Sequence, residues 1–381
     1  MIYPNIDAFE TRLLEAFANK MSKPVREDLS GICGFDGFID TFIRLEQPAS
    51  MAEFGPKVAA AAGIAASYPA RHLGDKFGGN GPLYASGLND IYDGQVDVTY
   101  IGAMGRESIL PIYREALEGK TKHLYSLADP AHSDCLEFTD GKVMLGDLAA
   151  CAEITLERLL EVVGETALDA ELKAADFIAA VNWGKLPHVG EIWSYLAQRS
   201  GQLGLPPKTV HCFMDLAEFE GRPKEAIQDL LDRLPAITAQ FQTMLSFNLK
   251  EAWQMGAFFG EEFNGRKDPE SVAGLAKALR ARIDVDRIII HPNDGAACAS
   301  AENTVFVPGP FCKEPLISTG AGDNFGAGCL VAALQGLDDT GIVLAGNLAS
   351  GHYVRSGRSA TFGAMQQMLR AWQDGSLGER L

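Results

Sequence analysis

The chain reads as an α/β protein built on a mostly parallel sheet with helices on both faces, and three observations predict this. Short apolar runs recur along its length, helix-spaced segments lie between most of them, and antiparallel paired arms occur in only two places. Strands separated by helices are joined by crossovers, which leaves neighbouring strands parallel and buried on both faces.

The strands come first. The runs GICGF (31–35), DVTYIGA (97–103), DFIAAVNW (176–183), TVHCFMDL (209–216), TMLSFN (243–248) and DRIIIHP (286–292) are short and apolar enough to be buried strands. Helical spacing fills 154–164, 190–199, 224–234 and 270–282 between them. Ahead of the first strand, Phe9, Leu13, Leu14, Phe17 and Met21 predict an amphipathic helix over 6–22, within an N-terminal extension of residues 1–28. CLEFTDGKVMLGDL (135–148) predicts a hairpin turning at Asp140-Gly141. AACASAENTVFVPG (296–309) predicts a second, turning near Glu302-Asn303. The first hairpin, with extended pieces around 41–47 and 71–77, would form a small β-flap outside the main sheet, inserted at about 38–80 and 130–148. No repeat, low-complexity tract or long linker divides the chain, so residues 1–381 are expected to form one domain.

Composition removes several function classes. With 33 Lys and Arg against 50 Asp and Glu the net charge is −17, which argues against nucleic acid or an anionic membrane as partner. Seven scattered cysteines with no CxxC pair argue against a disulfide framework or a zinc site and for a reducing cytoplasm. The first ten residues carry acids where a signal peptide carries bases. The most uniform apolar stretch, VAAAAGIAA at 58–66, is too short to span a bilayer. The expectation is a soluble cytoplasmic protein.

STGAGDNFGAG at 318–328 carries the chemistry. It is neither a G-x-x-x-x-G-K-[ST] loop nor G-x-G-x-x-G, since Phe325 stands where the third glycine belongs. Gly320, Ala321 and Gly322 let an anion approach the backbone, and the following NFGAGCLVAALQG runs into a helix whose free N–H groups favour negative charge. Asp323 in that position either caps the helix or takes a proton from a hydroxyl while the adjoining N–H groups hold the phosphoryl group under attack. Asn248 and Glu251 in NLKE carry the same two readings: a helix capping box, or two side chains on one helix face holding metal-bound water. Gly78-Gly79 is either a turn or a close-approach loop. Asp40 is either a solvated strand-end acid or an acceptor for two sugar hydroxyls.

STGAGDNFGAGCLVAAL resembles the C-terminal signature of the ribokinase (PfkB) family of carbohydrate and nucleoside kinases, and three further matches follow in order over roughly residues 30–360. GFDGFIDTFIRL (34–45) resembles the family's first strand, FGGNGPLYASGLN (77–89) its di-glycine substrate loop and NLKE its Asn-x-x-Glu element. The resemblance implies a three-layer α/β/α fold with a small β-flap as lid, and ATP-dependent phosphorylation of a hydroxyl on a small sugar or sugar-like substrate. It implies Asp323 as base with Gly320, Ala321 and Gly322 as anion hole. Asp40, Asp36, Gly78, Gly79 and Asn80 would hold the acceptor. Asn248 and Glu251 would organise Mg²⁺, through water. HPNDGAACAS (291–300) and GNLASGHYVRSG (346–357) resemble nucleotide-side elements and bring in Asn293, Gly295 and Asn347. A nucleoside kinase, a non-catalytic sugar or nucleotide sensor, and a homodimer paired through the lid are also compatible with it. Departures are Ile317 where the family often has an aspartate, which leaves potassium dependence open, and Leu83 where an asparagine is common.

Overall fold

A computed structural model describes residues 1–381, and its strands form two separate sheets. In the larger, β1 (Ser30–Gly34) lies between β4 (Asp97–Ala103) and β8 (Phe177–Val181), with β5 (His123–Ala128) beyond β4. On the other side follow β9 (His211–Asp215), β10 (Gln242–Asn248) and β11 (Arg287–His291), all parallel. The hairpin β12 (Gly295–Ala299) and β13 (Thr304–Pro308) closes that edge antiparallel, with Ser300 Oγ accepting the turn N–H groups of Glu302 and Asn303.

Period-two alternation divides each central strand between two apolar layers. Ile32, Ile178, Met214, Leu245 and Ile288 face one side, and Cys33, Ala179, Phe213, Met244 and Ile289 face the other. Helices cover both faces. They are, in order, α1 (Thr11–Lys20), α2 (Met51–Ala60), α3 (Asn80–Ile91), α4 (Pro111–Leu117), α5 (Leu156–Val163), α6 (Glu165–Ala174) and α7 (Val189–Gln202). After them come α8 (Lys224–Gln240), α9 (Leu249–Phe258), α10 (Pro269–Arg280), α11 (Ala321–Leu334), α12 (Asp339–Ser356) and α13 (Phe362–Gln373).

The smaller sheet has the order β3 (Ala70–Gly78), β2 (Phe38–Leu45), β6 (Ala131–Phe138), β7 (Gly141–Asp147). It carries α2, which buries none of its residues. The stretch 58–66 therefore ends an exposed helix, and no helix of the protein is long and apolar enough to cross a membrane. All seven cysteines are unpaired.

The N-terminal extension departs from the predicted single helix. Asn5 caps a short 3-10 turn at 6–8, Phe9 is extended and stacks on Tyr3 at 4.2 Å, and α1 begins only at Thr11. Before the turn, Tyr3 N–H donates to Phe306 O and Phe306 N–H to Met1 O, so residues 1–3 pair with the outer edge of β13. An exposed edge is a liability, and its pairing outweighs helical spacing at Ile6 and Phe9.

β1 is the point where the chain reverses its direction of winding: β4 and β5 are added on one side of it, β8 to β11 on the other. In open α/β sheets ligands bind outside the carboxyl ends of strands at such a point. Asp36 and Gly37 leave β1 there.

Candidate active site

Two helix N-termini converge on the carboxyl end of β1. Asp36 is fully buried, and its carboxylate accepts the backbone N–H of Asn80 (2.8 Å) and Gly81 (2.7 Å) and the Asn182 side-chain amide. Burial is the largest influence on this carboxyl and raises its pKa; the three hydrogen bonds pull the other way. Its oxygens are thus committed to capping α3. Asp40 lines the larger cleft, whereas Asp36 is not among the residues that line it.

Gly79 enters α3 at φ 100°, a left-handed value, and a Cβ there would stand 3.0 Å from the Asp36 carboxylate. Beside it, Asp40 on β2 lies so close to Gly78 that a Cβ at that position would meet its Oδ2 at 2.4 Å. Asp40 is buried at the cleft wall, and burial raises its pKa against the opposing influence of Lys142, Ser133 and His132.

Asn80 joins the two helix ends. Its side-chain Nδ2 donates to Asp323 Oδ1 at 2.8 Å, while its backbone N–H holds Asp36. Asp323 is 9% exposed in the first turn of α11. Burial first, and then the charge of Asp215, push its pKa well above the usual carboxylate range; the Asn80 bond opposes them.

The loop before Asp323 needs glycine at 320. Its φ is 90°, and a Cβ would lie 2.8 Å from the Tyr353 hydroxyl, which donates to Thr319 O. Of the three residues expected as anion hole, Gly320 and Gly322 keep backbone N–H groups with no backbone acceptor. The Ala321 N–H is spent on Ser318 O at 3.2 Å. The cause is simple: the tight turn at 318–321 closes on its own last amide.

Residues beside Asp323 line two clefts. Its neighbours Thr319 and Asn324 line the larger one, about 950 Å³, together with Asp40, Lys76, Phe77 and Leu83. On the other side His291, 3.6 Å from where a Gly322 Cβ would be, lines a cleft of about 490 Å³ with Asn248, Lys250, Lys267 and Asn293. Burial lowers the His291 pKa to about 4, and its ring stacks on Phe325 at 4.6 Å.

Asn248 and Glu251 form a complete capping box at α9. Asn248 Oδ1 accepts Glu251 N–H (3.0 Å), and Glu251 accepts Asn248 N–H (2.9 Å) and its side-chain amide (2.5 Å). Both readings of the motif survive, because Asn248 still lines the smaller cleft. Glu251 is 3% exposed; burial and Asp215 raise its pKa. No group of three or more His, Cys, Asp or Glu is arranged to hold a metal directly.

On the nucleotide side, exposed Asn293 faces the smaller cleft, whereas Gly295 is enclosed against Phe306 at the start of β12. Asn347 lines neither of the two clefts. Buried in α12, it donates both amide hydrogens to the carbonyls of Val307 and Pro308, at 3.1 Å each, and so ties β13 to the helix.

Sequence reading missed four residues. Asn182, at φ 63°, follows β8 and holds Asp36. Asp215 ends β9 and accepts Ala217 N–H at 2.8 Å, with its pKa raised by burial and by Asp36. Both polar residues end otherwise apolar runs, which is the signal that could have found them. Asn324 is 1% exposed, and its Oδ1 has no partner. Lys142, on β7 of the small sheet, reaches across to donate to Thr319 Oγ1 in the signature loop. Nothing in its local sequence announces that span.

Buried carboxylates at two helix N-termini beside a switch point, with a separate four-stranded sheet, define a fold shared with ribokinase-like carbohydrate kinases. A carbohydrate kinase from Agrobacterium tumefaciens matches with a TM-score of 0.63 at 17% identity, covering 90% of this chain and 97% of that one. A ribokinase of Arabidopsis thaliana, complexed with ribose and ATP, matches with a TM-score of 0.60 at 15% identity over 92% and 98% of the two chains. At such identities the likeness is one of fold. The family is set by sequence: the family described as prokaryotic ketohexokinase matches residues 71–372, and the chain belongs to it. A curated ketohexokinase of Haloferax volcanii is 24% identical over 257 residues, 67% of this chain. That alignment spans 65% of the Haloferax protein's length.

Proposed function

We propose that the protein is an ATP-dependent kinase that phosphorylates a hydroxyl group of a small sugar, with a ketohexose first among the candidates. The family supports the sugar. The observation that carries the chemistry is Asp323, a buried carboxylate of raised proton affinity, placed beside the unpaired Gly320 and Gly322 N–H groups and with neighbouring residues on the linings of two clefts.

In this reading Asp40 and the Gly78–Asn80 loop hold the acceptor in the larger cleft. Asp323 takes the proton of the attacking hydroxyl as that oxygen bonds to the terminal phosphorus of ATP and the bond to the ADP oxygen breaks. A base of raised pKa suits this step, since it binds the proton firmly once the hydroxyl begins to release it. The Gly320 and Gly322 N–H groups and the α11 dipole stabilise charge on the phosphoryl oxygens.

Magnesium fits only sparsely. Both Glu251 oxygens already accept from Asn248, so Glu251, Asn248 and Asp215 would hold water molecules of the ion rather than the ion itself. When bound, Mg²⁺ would offset phosphate charge beside carboxylates whose mutual repulsion is otherwise uncompensated. The small sheet acts as the lid, excluding water from the transfer, and Lys142 is its contact with the signature loop. Leu145, exposed on the face of this sheet opposite Asp40, with Val58 exposed on α2 and Ile64 exposed just after it, supports a homodimer paired through the lid.

Coupled measurement of ADP release with a panel of ketohexoses, aldoses and nucleosides tests the function. Sugar-dependent turnover that requires Mg²⁺ is the expected result. Nucleotide binding without turnover on any acceptor would instead mark a sensor.

A further inference from the structure

The loop that leads into the signature is held from behind by the C-terminal segment. Arg355 of α12 is 2% exposed, and its guanidinium donates to Pro310 O (2.9 Å), Phe311 O (2.8 Å), Gly351 O (3.0 Å) and Gly378 O (2.8 Å). Two of those carbonyls belong to the loop and one to the C-terminal segment, so a single buried cation ties them together. The segment also grips the loop directly. The Glu379 carboxylate accepts Lys313 N–H (2.8 Å), Glu314 N–H (3.2 Å) and the Cys312 thiol (3.1 Å), and Arg380 donates to Glu314 O.

The loop so fixed presents Phe311, whose ring is left 52% exposed. It lines the cleft of about 490 Å³ with Pro292, Asn293, Lys267 and Lys250, the last of which is ion-paired with Glu220. Exposing a large aromatic ring to water is unfavourable, and Phe311 takes part in none of the aromatic pairs of the molecule. An aromatic face, the cation of Lys267 and the N-terminus of α9 in one cleft match a heterocyclic base joined to a phosphate chain.

We propose that Phe311 is the platform on which the nucleotide base stacks, and that Arg355 and Glu379 are positioning residues that hold it there from the far side of the loop. The inference rests on the kinase reading above, and it adds that nucleotide affinity depends on the C-terminal segment, which touches neither cleft at this face.

The test compares the full chain with Phe311→Ala, Phe311→Trp and Glu379→Ala by isothermal titration calorimetry. The probes are the magnesium complex of a non-hydrolysable ATP analogue and, as a base-free control, magnesium tripolyphosphate. Phe311→Ala raises the analogue's Kd about 5- to 100-fold, whereas Phe311→Trp keeps it within about threefold. Glu379→Ala, which lets the loop leave its stacking position part of the time, raises it about 3- to 10-fold with the acceptor KM unchanged. Tripolyphosphate binding is the same in all four proteins. Both substituted side chains face solvent, and melting temperatures check that the fold is intact. If the wild-type chain binds the analogue and Phe311→Ala binds it equally well, or loses tripolyphosphate in parallel, the stacking assignment is wrong while the kinase reading stands. An unaltered Kd in Glu379→Ala removes the clamp. A wild-type chain that binds neither probe overturns both readings.

Discussion

Replacing Asp323 by asparagine isolates the proposed base from everything else at the site. The amide is isosteric with the carboxylate, so its Oδ1 still accepts Asn80 Nδ2, which lies 2.8 Å from the carboxylate oxygen now. Gly320 keeps its left-handed turn, and the unpaired N–H groups before α11 stay where they are. What disappears is the proton acceptor. A positioned general base contributes about 10²–10⁴ in rate, and at 1.36 kcal/mol per tenfold that is about 2.7–5.4 kcal/mol of barrier. Steady-state ADP release with the best acceptor should therefore show kcat down by about 10²–10⁴, with the Kd of an ATP analogue within about threefold of wild type. Replacement of Asp323 by Glu moves the carboxylate by one methylene and should recover little, because the base must meet the hydroxyl within hydrogen-bond reach. Turnover by Asp323→Asn near the wild-type rate would refute the assignment of the base. Parallel loss of nucleotide affinity would mean instead that the residue's part is to hold the α11 N-terminus.

Three further outcomes follow from the same geometry. Asp323, Asp215 and Glu251 all have raised folded pKa values, so the stability they contribute is present in full below the unfolded carboxylate value near 4 and is lost as pH rises through the folded values; the melting temperature of the ligand-free protein should fall between about pH 5 and 8, and Asp323→Asn should raise it at pH 8 but not at pH 4.5. Lys142→Met removes the contact between the small sheet and Thr319, and kcat/KM for the acceptor should fall about tenfold to a hundredfold with the melting temperature unchanged, consistent with one charge-assisted hydrogen bond; an unaltered kcat/KM would take Lys142 out of lid closure. Charged residues at two exposed positions of the lid, Val58→Glu on α2 with Leu145→Glu on β7, should convert a dimer to a monomer in analytical ultracentrifugation, and a wild-type chain that sediments as a monomer refutes pairing through the lid.

Local order in the chain determined a good deal. Apolar runs became β1, β4 and β8 to β11 because a strand buried on both faces must be apolar throughout, and that demand shows in a few consecutive residues. Both hairpins were legible because turn chemistry is local, although the first turns at Thr139-Asp140, one residue before the expected Asp140-Gly141, with Gly141 already paired to Phe138. The signature loop at 318–328 was legible because a tight turn before a helix needs small residues in a row. The tertiary structure alone decided what those pieces do for one another. Asp36 and Asp40 sit four residues apart and look interchangeable in sequence, but only contact with Asn80, Gly81 and Asn182 commits the first to a helix cap and leaves the second at the cleft. Ala321, Asn347 and Lys142 took their roles from partners far along the chain or from a turn that satisfied its own amide. The physical reason is range. Propensity and periodicity act over a few residues, whereas hydrogen-bond partners, burial and the pKa shifts they cause depend on distances that exist only once the sheet has wound outward in both directions from β1.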